Sequence, residues 1–201
     1  MIKKYREDEI DKLAEILMRD GVIAIPTDTV YGLCVQMNSE KAREKLMQIK
    51  NRPSSKSLPV MCADINQIKS IARVNEREEK IIRAFMPGPI TLILLKEKSL
   101  PKYVNEGSIE IGVRMATSKA LEELIRKIGC PICVSSANKS GEPTCTTIDE
   151  ISSTFPDLDG ILEGKVIYGK SSTIVNCISK EKLTIQRKGP ISLEQIEDVL
   201  K

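Results

Sequence analysis

Apolar residues recur along the chain at two spacings, and the two spacings predict helices that alternate with strands. In residues 8–19 the apolar side chains recur every three to four positions, which is the period of a helix with one buried face. The same spacing predicts helices over residues 39–50, 65–72, 76–85, 117–128 and 193–200. Short apolar runs predict strands over residues 22–25, 58–63, 90–95, 132–134, 160–162, 173–177 and 183–187.

Short polar side chains mark several of the predicted helix starts, because they can accept a backbone N–H that the helix leaves unpaired. The candidate caps are Ser39, Thr117 or Ser118, and two capping boxes, Thr147 with Glu150 and Ser192 with Gln195.

The order of these elements indicates the fold class. Helices alternate with strands early and strands cluster later, which predicts an α/β fold with a mixed β-sheet and helices packed around it. A chain of 201 residues fits a single domain over residues 1–201, and should bury roughly 70% of its unfolded surface. No apolar run approaches the ~18 residues that a membrane helix needs, and no apolar segment follows the basic N-terminal residues. We therefore expect a cytoplasmic protein without a membrane partner.

Cysteine and charge narrow the possible chemistry. The chain has six cysteines, no histidine and a net charge of +3, which is too small to indicate a nucleic-acid partner by itself. Cys34, Cys62, Cys133 and Cys177 lie in apolar runs, as buried free thiols do. Cys130 and Cys133 form a CxxC between a helix and a strand, whereas a redox CxxC opens a helix. A zinc site would need two further ligands, so we expect no metal site.

The segment Pro26-Thr27-Asp28-Thr29-Val30-Tyr31-Gly32 follows the strand predicted at residues 22–25. Pro26 cannot donate to a β-ladder and should end that strand. Open α/β sheets place ligands at strand ends, where polar groups such as these can bind them. A polar turn closed by its own side-chain hydrogen bonds explains the segment equally well.

Further polar segments lie beside other predicted elements. Lys50-Asn51-Arg52-Pro53 lies at the end of the second helix, with Lys56 farther along the loop. Arg114 lies in a short apolar run, where a cation needs a partner, and Ser135-Ser136-Ala137-Asn138 follows the strand at residues 132–134. In this order and spacing, PTDTVYG, KNRP and SSAN resemble the YrdC family, the threonylcarbamoyl-AMP synthases.

Residues 164–171, with the sequence GKVIYGKS, match the P-loop string G-x-x-x-x-G-K-[ST] in full. A P-loop opens a helix whose amides hold phosphate, but β-branched, strand-like residues follow here. We therefore expect no P-loop, and we expect Lys170 to be solvated.

The resemblance covers roughly residues 10–190 and implies both an activity and a fold. Members of the family condense L-threonine, bicarbonate and ATP into threonylcarbamoyl-AMP, release pyrophosphate, and so serve threonylcarbamoyladenosine modification of tRNA. The implied fold is a twisted mixed sheet around an open concave site, here without the C-terminal domain of longer relatives. The implied cofactor is ATP, as a substrate, with Mg²⁺. Downstream tRNA-modification proteins, and tRNA or double-stranded RNA, are the implied macromolecular partners.

The resemblance also implies roles for single residues, and the chemistry suits a chain without histidine. The attacking carbamate is already an anion, so adenylation can proceed by positioning and charge neutralisation. The implied catalytic cations are Lys50 and Arg52; the implied nucleotide contacts are Arg52, Lys56, Ser136, Asn138, Thr146 and Arg187; the implied threonine contacts are Thr29, Arg114 and Ser172. From the residues alone, Arg114 could equally form an internal salt bridge, and Ser136 and Asn138 could form a satisfied turn.

The chain departs from the family pattern at four positions. Met61 stands where a histidine is frequent, Glu110 where a hydroxyl is common, Asn176 where an aspartate is frequent, and Lys188 where proline is common. Two other functions compete: a non-catalytic module that binds double-stranded RNA or tRNA, and carbamoyl transfer as in much longer hydrogenase-maturation proteins.

Overall fold

Strands and helices alternate in the computed structural model, which describes residues 2–53, 56–105, 107–179 and 181–201. The strands are β1 (Lys4–Tyr5), β2 (Ile23–Pro26), β3 (Tyr31–Gln36), β4 (Val60–Cys62), β5 (Ile90–Leu95), β6 (Glu110–Met115), β7 (Ile132–Ser136), β8 (Gly160–Leu162), β9 (Thr173–Asn176) and β10 (Thr184–Arg187). The helices are α1 (Ile10–Met18), α2 (Glu40–Ile49), α3 (Ile65–Ile71), α4 (Glu76–Phe85), α5 (Lys119–Ile128), α6 (Ile148–Thr154) and α7 (Leu193–Asp198).

All these strands join one sheet in the order β1-β8-β2-β3-β7-β4-β6-β5-β9-β10. Pairing is parallel between β1 and β8, β8 and β2, β4 and β6, and β5 and β9, and antiparallel at the other junctions. The predicted α/β fold with a mixed sheet is therefore confirmed. The single-domain boundary at residues 1–201 stays a prediction.

The two faces of the sheet bury different clusters, because successive side chains of a strand point to opposite faces. Ile23 and Ile25 pack with Cys34 and with α1 and α5. Ala24 and Leu33 belong to the larger cluster, which also contains buried residues of α2, α3, α4, α6 and α7. The smaller cluster contains residues of β2, β3, β4, β7 and β8 but none of the described residues of β5, β6 or β9. Helices α1 and α5 therefore cover only part of their face, and the rest stays open.

The sequence analysis did not predict β3. The sequence predicts a loop over residues 26–32 after a strand, but β2 pairs with β3 antiparallel, with Pro26 opposite Tyr31. The segment is therefore the turn of a β-hairpin in the interior of the sheet. Gly32 is required there, since a Cβ at this position would lie 2.6 Å from Cγ1 of Val134 on β7.

The predicted helix starts are mostly correct. Ser39, Ser118, Thr147 and Ser192 each accept a backbone N–H from three residues on. Ser118 rather than Thr117 caps α5. In the Ser192–Gln195 box each side chain accepts the backbone N–H of the other residue, whereas the carboxylate of Glu150 accepts the N–H of Thr146 at 2.7 Å. No described helix combines the length and the hydropathy that a membrane span requires.

Candidate active site

An open cavity of about 380 Å³ lies over the uncovered part of the sheet face. Its size is that of a small-molecule site. On β6, Glu110, Gly112 and Arg114 line the cavity, while Ile111 and Val113 between them belong to the core of the opposite face. The other lining residues include Thr27, Thr29, Arg52, Met61, Thr91, Asn105, Ser136, Ser171, Ser172 and Arg187.

The hairpin turn between β2 and β3 forms one wall of the cavity. The hydroxyl of Thr27 closes the turn, donating to Val30 O at 2.6 Å and accepting the N–H groups of Thr29 and Val30 at 3.2 Å. It also lies 2.9 Å from the hydroxyl of Thr29. The polar-turn interpretation is therefore correct in geometry, and the same turn presents Thr29 to the cavity. The two interpretations of this segment are compatible.

Arg114 is a buried cation on this wall, with 7% of its surface exposed. Its Nη2 donates to Oδ1 of Asp28 at 2.6 Å and to Gly88 O at 3.2 Å, and its Nη1 donates to Thr29 Oγ1 at 3.2 Å. Burial lowers the pKa of Arg114, and Asp28 opposes that shift. The internal salt bridge left open by the sequence is thus present, and Arg114 still lines the cavity.

Ser172 and Arg187 form a second wall, beside Arg114. The buried hydroxyl of Ser172 lies 2.9 Å from that of Thr91, which places hydroxyls of two neighbouring strand ends together. Arg187 donates from Nε to Ser172 O and from Nη2 to Ser172 Oγ, both at 3.0 Å. Burial and then the nearby Arg114 lower the pKa of Arg187. The two cations therefore act on a shared region of the cavity.

Arg52 brings a third guanidinium to the cavity from the loop after α2. Its Nη2 donates to Ser57 O at 2.7 Å, and burial lowers its pKa. Among the described residues, the buried Nε atoms of Arg52 and Arg114 have no hydrogen-bond partner. A buried unpaired donor is costly, and each of these guanidinium groups keeps an unsatisfied N–H that a ligand can reach only if the side chain shifts.

Lys50 lies beneath this loop and does not line the cavity. It is 1% exposed, and its Nζ donates to Ser136 O and, at 2.6 Å, to Asn138 O. Burial, and then the neighbouring Arg52, lower the pKa of Lys50 to about 7. The sequence held a signal for this burial, since residues 42, 46 and 50 recur every four positions on the inward face of α2.

The other predicted nucleotide contacts are dispersed. Ser136 lines the cavity and donates to Oδ1 of Asn138. Asn138 donates to Lys139 O and Glu142 O, so the SSAN segment is a satisfied turn. Thr146 is exposed and bonds Glu150, and Lys56 is exposed. Ser54 and Ser55 of the same loop lie outside the described residues.

The P-loop match forms no helix. Residues 163–172 are irregular and lead into β9, as the sequence analysis predicted. Tyr31 Oη donates to Gly164 O at 2.8 Å, and the N–H groups of Ile167 and Tyr168 donate to Asp28 O at 3.0 and 2.8 Å. This segment therefore packs against the hairpin turn, and Lys170 is exposed.

The cysteines are all free thiols in the described part of the chain. Burial raises the pKa of Cys133 and of Cys177 to about 12, which keeps them protonated and unreactive. Groups of three or more potential metal-ligating side chains do not occur among the described residues.

Sequence reasoning missed three residues of this site. The sequence patterns assign no individual role to Asp28 within its motif, place Thr91 only in a strand, and do not point to Asn105. Asn105 is 4% exposed, has a positive φ of 51°, and its Oδ1 accepts the N–H of Leu58 at 3.1 Å. An Asn, which readily adopts the left-handed region, close to a glycine at position 107 was the available signal.

The arrangement suits an anionic ligand with several charged groups. Three guanidinium groups and one carboxylate, Glu110, are the charged groups among the described lining residues. Guanidinium forks bind carboxylates and phosphates with directed hydrogen bonds. Hydroxyls at both walls can orient a small polar substrate.

Comparison with known proteins identifies the family to which the chain is similar. The profile of the Sua5/YciO/YrdC family, described as "telomere recombination", matches residues 15–189. The chain is 34% identical to a Methanocaldococcus jannaschii protein provisionally named threonylcarbamoyl-AMP synthase, over 97% of this chain and 94% of that one. It is also 34% identical to the threonylcarbamoyl-AMP synthase of Bacillus subtilis, over 96% of this chain and 57% of that one.

A solved structure shows the same fold. The crystal structure of Pyrococcus abyssi Sua5 complexed with L-threonine superposes with a TM-score of 0.91 at 29% identity, over 100% of this chain and 61% of that one. The chain thus spans almost the full length of the Methanocaldococcus protein, but only about three-fifths of the Bacillus and Pyrococcus proteins.

Proposed function

The chain belongs to the Sua5/YciO/YrdC family, and from that membership we propose that it is an L-threonylcarbamoyladenylate synthase. This nucleotidyltransferase joins L-threonine, bicarbonate and ATP, and yields threonylcarbamoyl-AMP and pyrophosphate. The observation that carries the proposal is the position of Arg114, a buried cation that faces a cavity containing hydroxyls and two further arginines. Such a cavity favours a small anionic substrate over a non-catalytic RNA-binding role.

Threonine is proposed to bind between the two walls. Its carboxylate would accept from Arg114, which keeps donors free because three of its five N–H groups bond described residues. The hydroxyls of Thr29 and Ser172 are buried at the cavity edge and can orient the polar groups of the amino acid. The Pyrococcus relative was solved in complex with L-threonine, which supports threonine as a ligand of this chain.

The nucleotide is proposed to bind beside threonine, with Arg52 and Arg187 on its phosphates. Both guanidinium groups line the cavity and can neutralise charge on the triphosphate. Ser136 borders the same region, whereas Lys56, Asn138 and Thr146 would have to reach ATP from outside the cavity. We propose that Mg²⁺ arrives with ATP, held largely by phosphate oxygens and water.

The chemical steps need positioning more than acid–base catalysis. When the threonine amine adds to bicarbonate, a C–N bond forms, water leaves, and the ammonium form loses one proton. An oxygen of the resulting carbamate then attacks the α-phosphorus, and the bond to pyrophosphate breaks. The attacking group is already an anion, so fixed cations such as Arg52 supply the main stabilisation of the developing charge.

Lys50 is proposed to act from behind the site. Its ammonium holds the carbonyl groups of Ser136 and Asn138, so it fixes the turn that borders the cavity. It would therefore affect the nucleotide through the backbone of this turn. This revises the direct phosphate contact that the family resemblance implied.

The cellular setting is part of the proposal. We propose that the protein works in the cytoplasm, where free thiols such as those found here persist. Its product would be consumed by tRNA-modification proteins, and direct contact with tRNA or double-stranded RNA would be secondary.

The test is pyrophosphate release from ATP by the purified protein, with L-threonine and ¹⁴C-bicarbonate each supplied or omitted. We expect release, and label in an adenylate product, only when both are present. Equal release without threonine would indicate a plain ATPase. No release combined with binding of double-stranded RNA would indicate the non-catalytic alternative.

A further inference from the structure

Asp28 holds the guanidinium of Arg114 in place. Their atoms Oδ1 and Nη2 lie 2.6 Å apart, and the side chains are 5% and 8% exposed. Arg114 and Thr29 line the cavity, while Asp28 does not belong to its lining. We infer that Asp28 is a positioning residue for threonine binding, which acts through Arg114; this inference rests on the proposed function.

Asp28 is itself fixed on three sides. Its N–H donates to Thr117 Oγ1 at 3.3 Å, and its carbonyl accepts from the N–H groups of Ile167 and Tyr168 at 3.0 and 2.8 Å. The turn around it is closed by Thr27. The backbone of Asp28 is therefore held by the hairpin, by the start of α5 and by the segment before β9. Its Oδ2 has no hydrogen-bond partner among the described residues, so the bond from Arg114 to Oδ1 is what orients the carboxylate.

The carboxylate of Asp28 determines which edge of the guanidinium is left for a ligand. Asp28 and Gly88 O use both N–H groups of Nη2, and Thr29 uses one of Nη1. Nε has no partner among the described residues. Since Nη2 is saturated by the protein, the substrate carboxylate is directed to the remaining donors. Without this carboxylate, the guanidinium can rotate and form competing bonds.

Positioning and simple electrostatics predict opposite effects of removing the carboxylate charge. Asp28→Asn keeps the shape but leaves Arg114 without its counter-ion, so Coulomb attraction alone would tighten binding of a carboxylate. If Asp28 orients Arg114, loss of their charge-assisted hydrogen bond should instead weaken the binding of the carboxylate. We expect the dissociation constant of L-threonine to rise roughly tenfold, with ATP affinity within about twofold of native.

The matched control is Glu78→Gln. Glu78 is also buried, with 4% exposed, and its carboxylate lies 3.0 Å from Arg77, but it does not line the cavity. Both variants lose a buried carboxylate charge, so both should lose thermal stability. Only Asp28→Asn should alter threonine binding. If Asp28→Asn does not fold, Asp28→Glu is used in its place. Asp28→Glu keeps the charge but displaces the carboxylate by one methylene, so it should still weaken threonine binding.

Calorimetric titration of L-threonine and of ATP, on the native protein and each variant, decides the inference. A double-mutant cycle with Arg114→Lys tests whether Asp28 acts through Arg114. If it does, Asp28→Asn should have little further effect on threonine affinity in the Arg114→Lys protein. Threonine affinity that is native or tighter in Asp28→Asn, or additive effects in the cycle, would overturn the positioning role. If the native protein binds no L-threonine, the proposed function fails and this inference fails with it.

Discussion

Lys50 should make the stability of the protein depend on pH in an unusual direction. Its pKa is about 7 in the folded protein, against an ordinary value of 10.5, because burial disfavours the charged ammonium. Between these values the unfolded chain binds more protons than the folded one, so the free energy of unfolding should rise with pH. The destabilising contribution is full below the folded pKa and disappears as pH rises toward the unfolded value.

The size of the effect follows from the two pKa values. Between about pH 7.0 and pH 8.5, Lys50 alone raises the free energy of unfolding by an amount on the order of 1.5 kcal/mol. Buried thiols contribute the opposite slope as unfolded cysteine begins to titrate in the same range, because the folded pKa is about 12 for Cys133 and Cys177, against an ordinary 9.0. The contribution of Lys50 is therefore the difference in slope between the native protein and a variant that lacks Lys50.

The assay is equilibrium unfolding in urea at several pH values, on the native protein and on Lys50→Met. The variant has an unbranched side chain one atom shorter that cannot titrate, so the contribution of Lys50 to the rise should disappear. Lys139→Met is the control, because Lys139 also donates to a carbonyl, Ile49 O at 2.7 Å, but is partly exposed. If Lys50→Met retains the native slope, or Lys139→Met loses it, the reasoning from burial of Lys50 is wrong.

Two further predictions concern the cavity arginines. Arg52→Ala should lose on the order of 2–4 kcal/mol of transition-state stabilisation, as when one oxyanion donor is removed, whereas Lys170→Ala should lose little because Lys170 is exposed. The value of kcat/KM for pyrophosphate release measures the effect of each variant. If Lys170→Ala loses more than Arg52→Ala, the assignment of Arg52 to the phosphates is wrong. Arg114→Lys keeps the charge but loses the planar fork, so it should weaken the binding of L-threonine and leave the affinity for ATP almost unchanged. Calorimetric titration of each ligand checks this prediction. A variant that loses only ATP binding would place Arg114 at the nucleotide.

Much of the fold could be predicted from sequence because the apolar spacing is strong in most elements. The bounds of α4, β5 and β8 agree with the predicted ranges, and the late strands agree within a residue. The spacing failed at β3, since Tyr31–Gln36 is buried on both faces and so shows no alternation. Pro26 ends β2 as expected, but a strand end alone does not indicate that a hairpin turn and a paired strand follow.

The candidate site was predictable in part. Arg114 could be found because a cation in an apolar run needs a partner, but the partner could not, since Asp28 lies 86 positions away. The loop with Lys50, Arg52 and Lys56 could be predicted to be basic from its sequence. The Lys50 side chain is nevertheless buried, because Lys50 continues the buried face of α2. Local sequence gives the type of each group, whereas strand order determines which groups meet.

The sheet order also sets when the site can form during synthesis. Asp28 and Arg114 can pair once β7 has been made, because β7 lies between β3 and β4 in the sheet. Ser172 and Arg187 lie 58 and 73 positions after Arg114, on or beside strands that form the second wall. β9 has to dock beside β5, made some 80 residues earlier, and such long-range pairings form slowly. A nascent chain that has reached α6 therefore holds one wall of the cavity without the other. Binding competence arises in the last stage of folding, and a substrate that bridges both walls would preferentially stabilise the completed molecule.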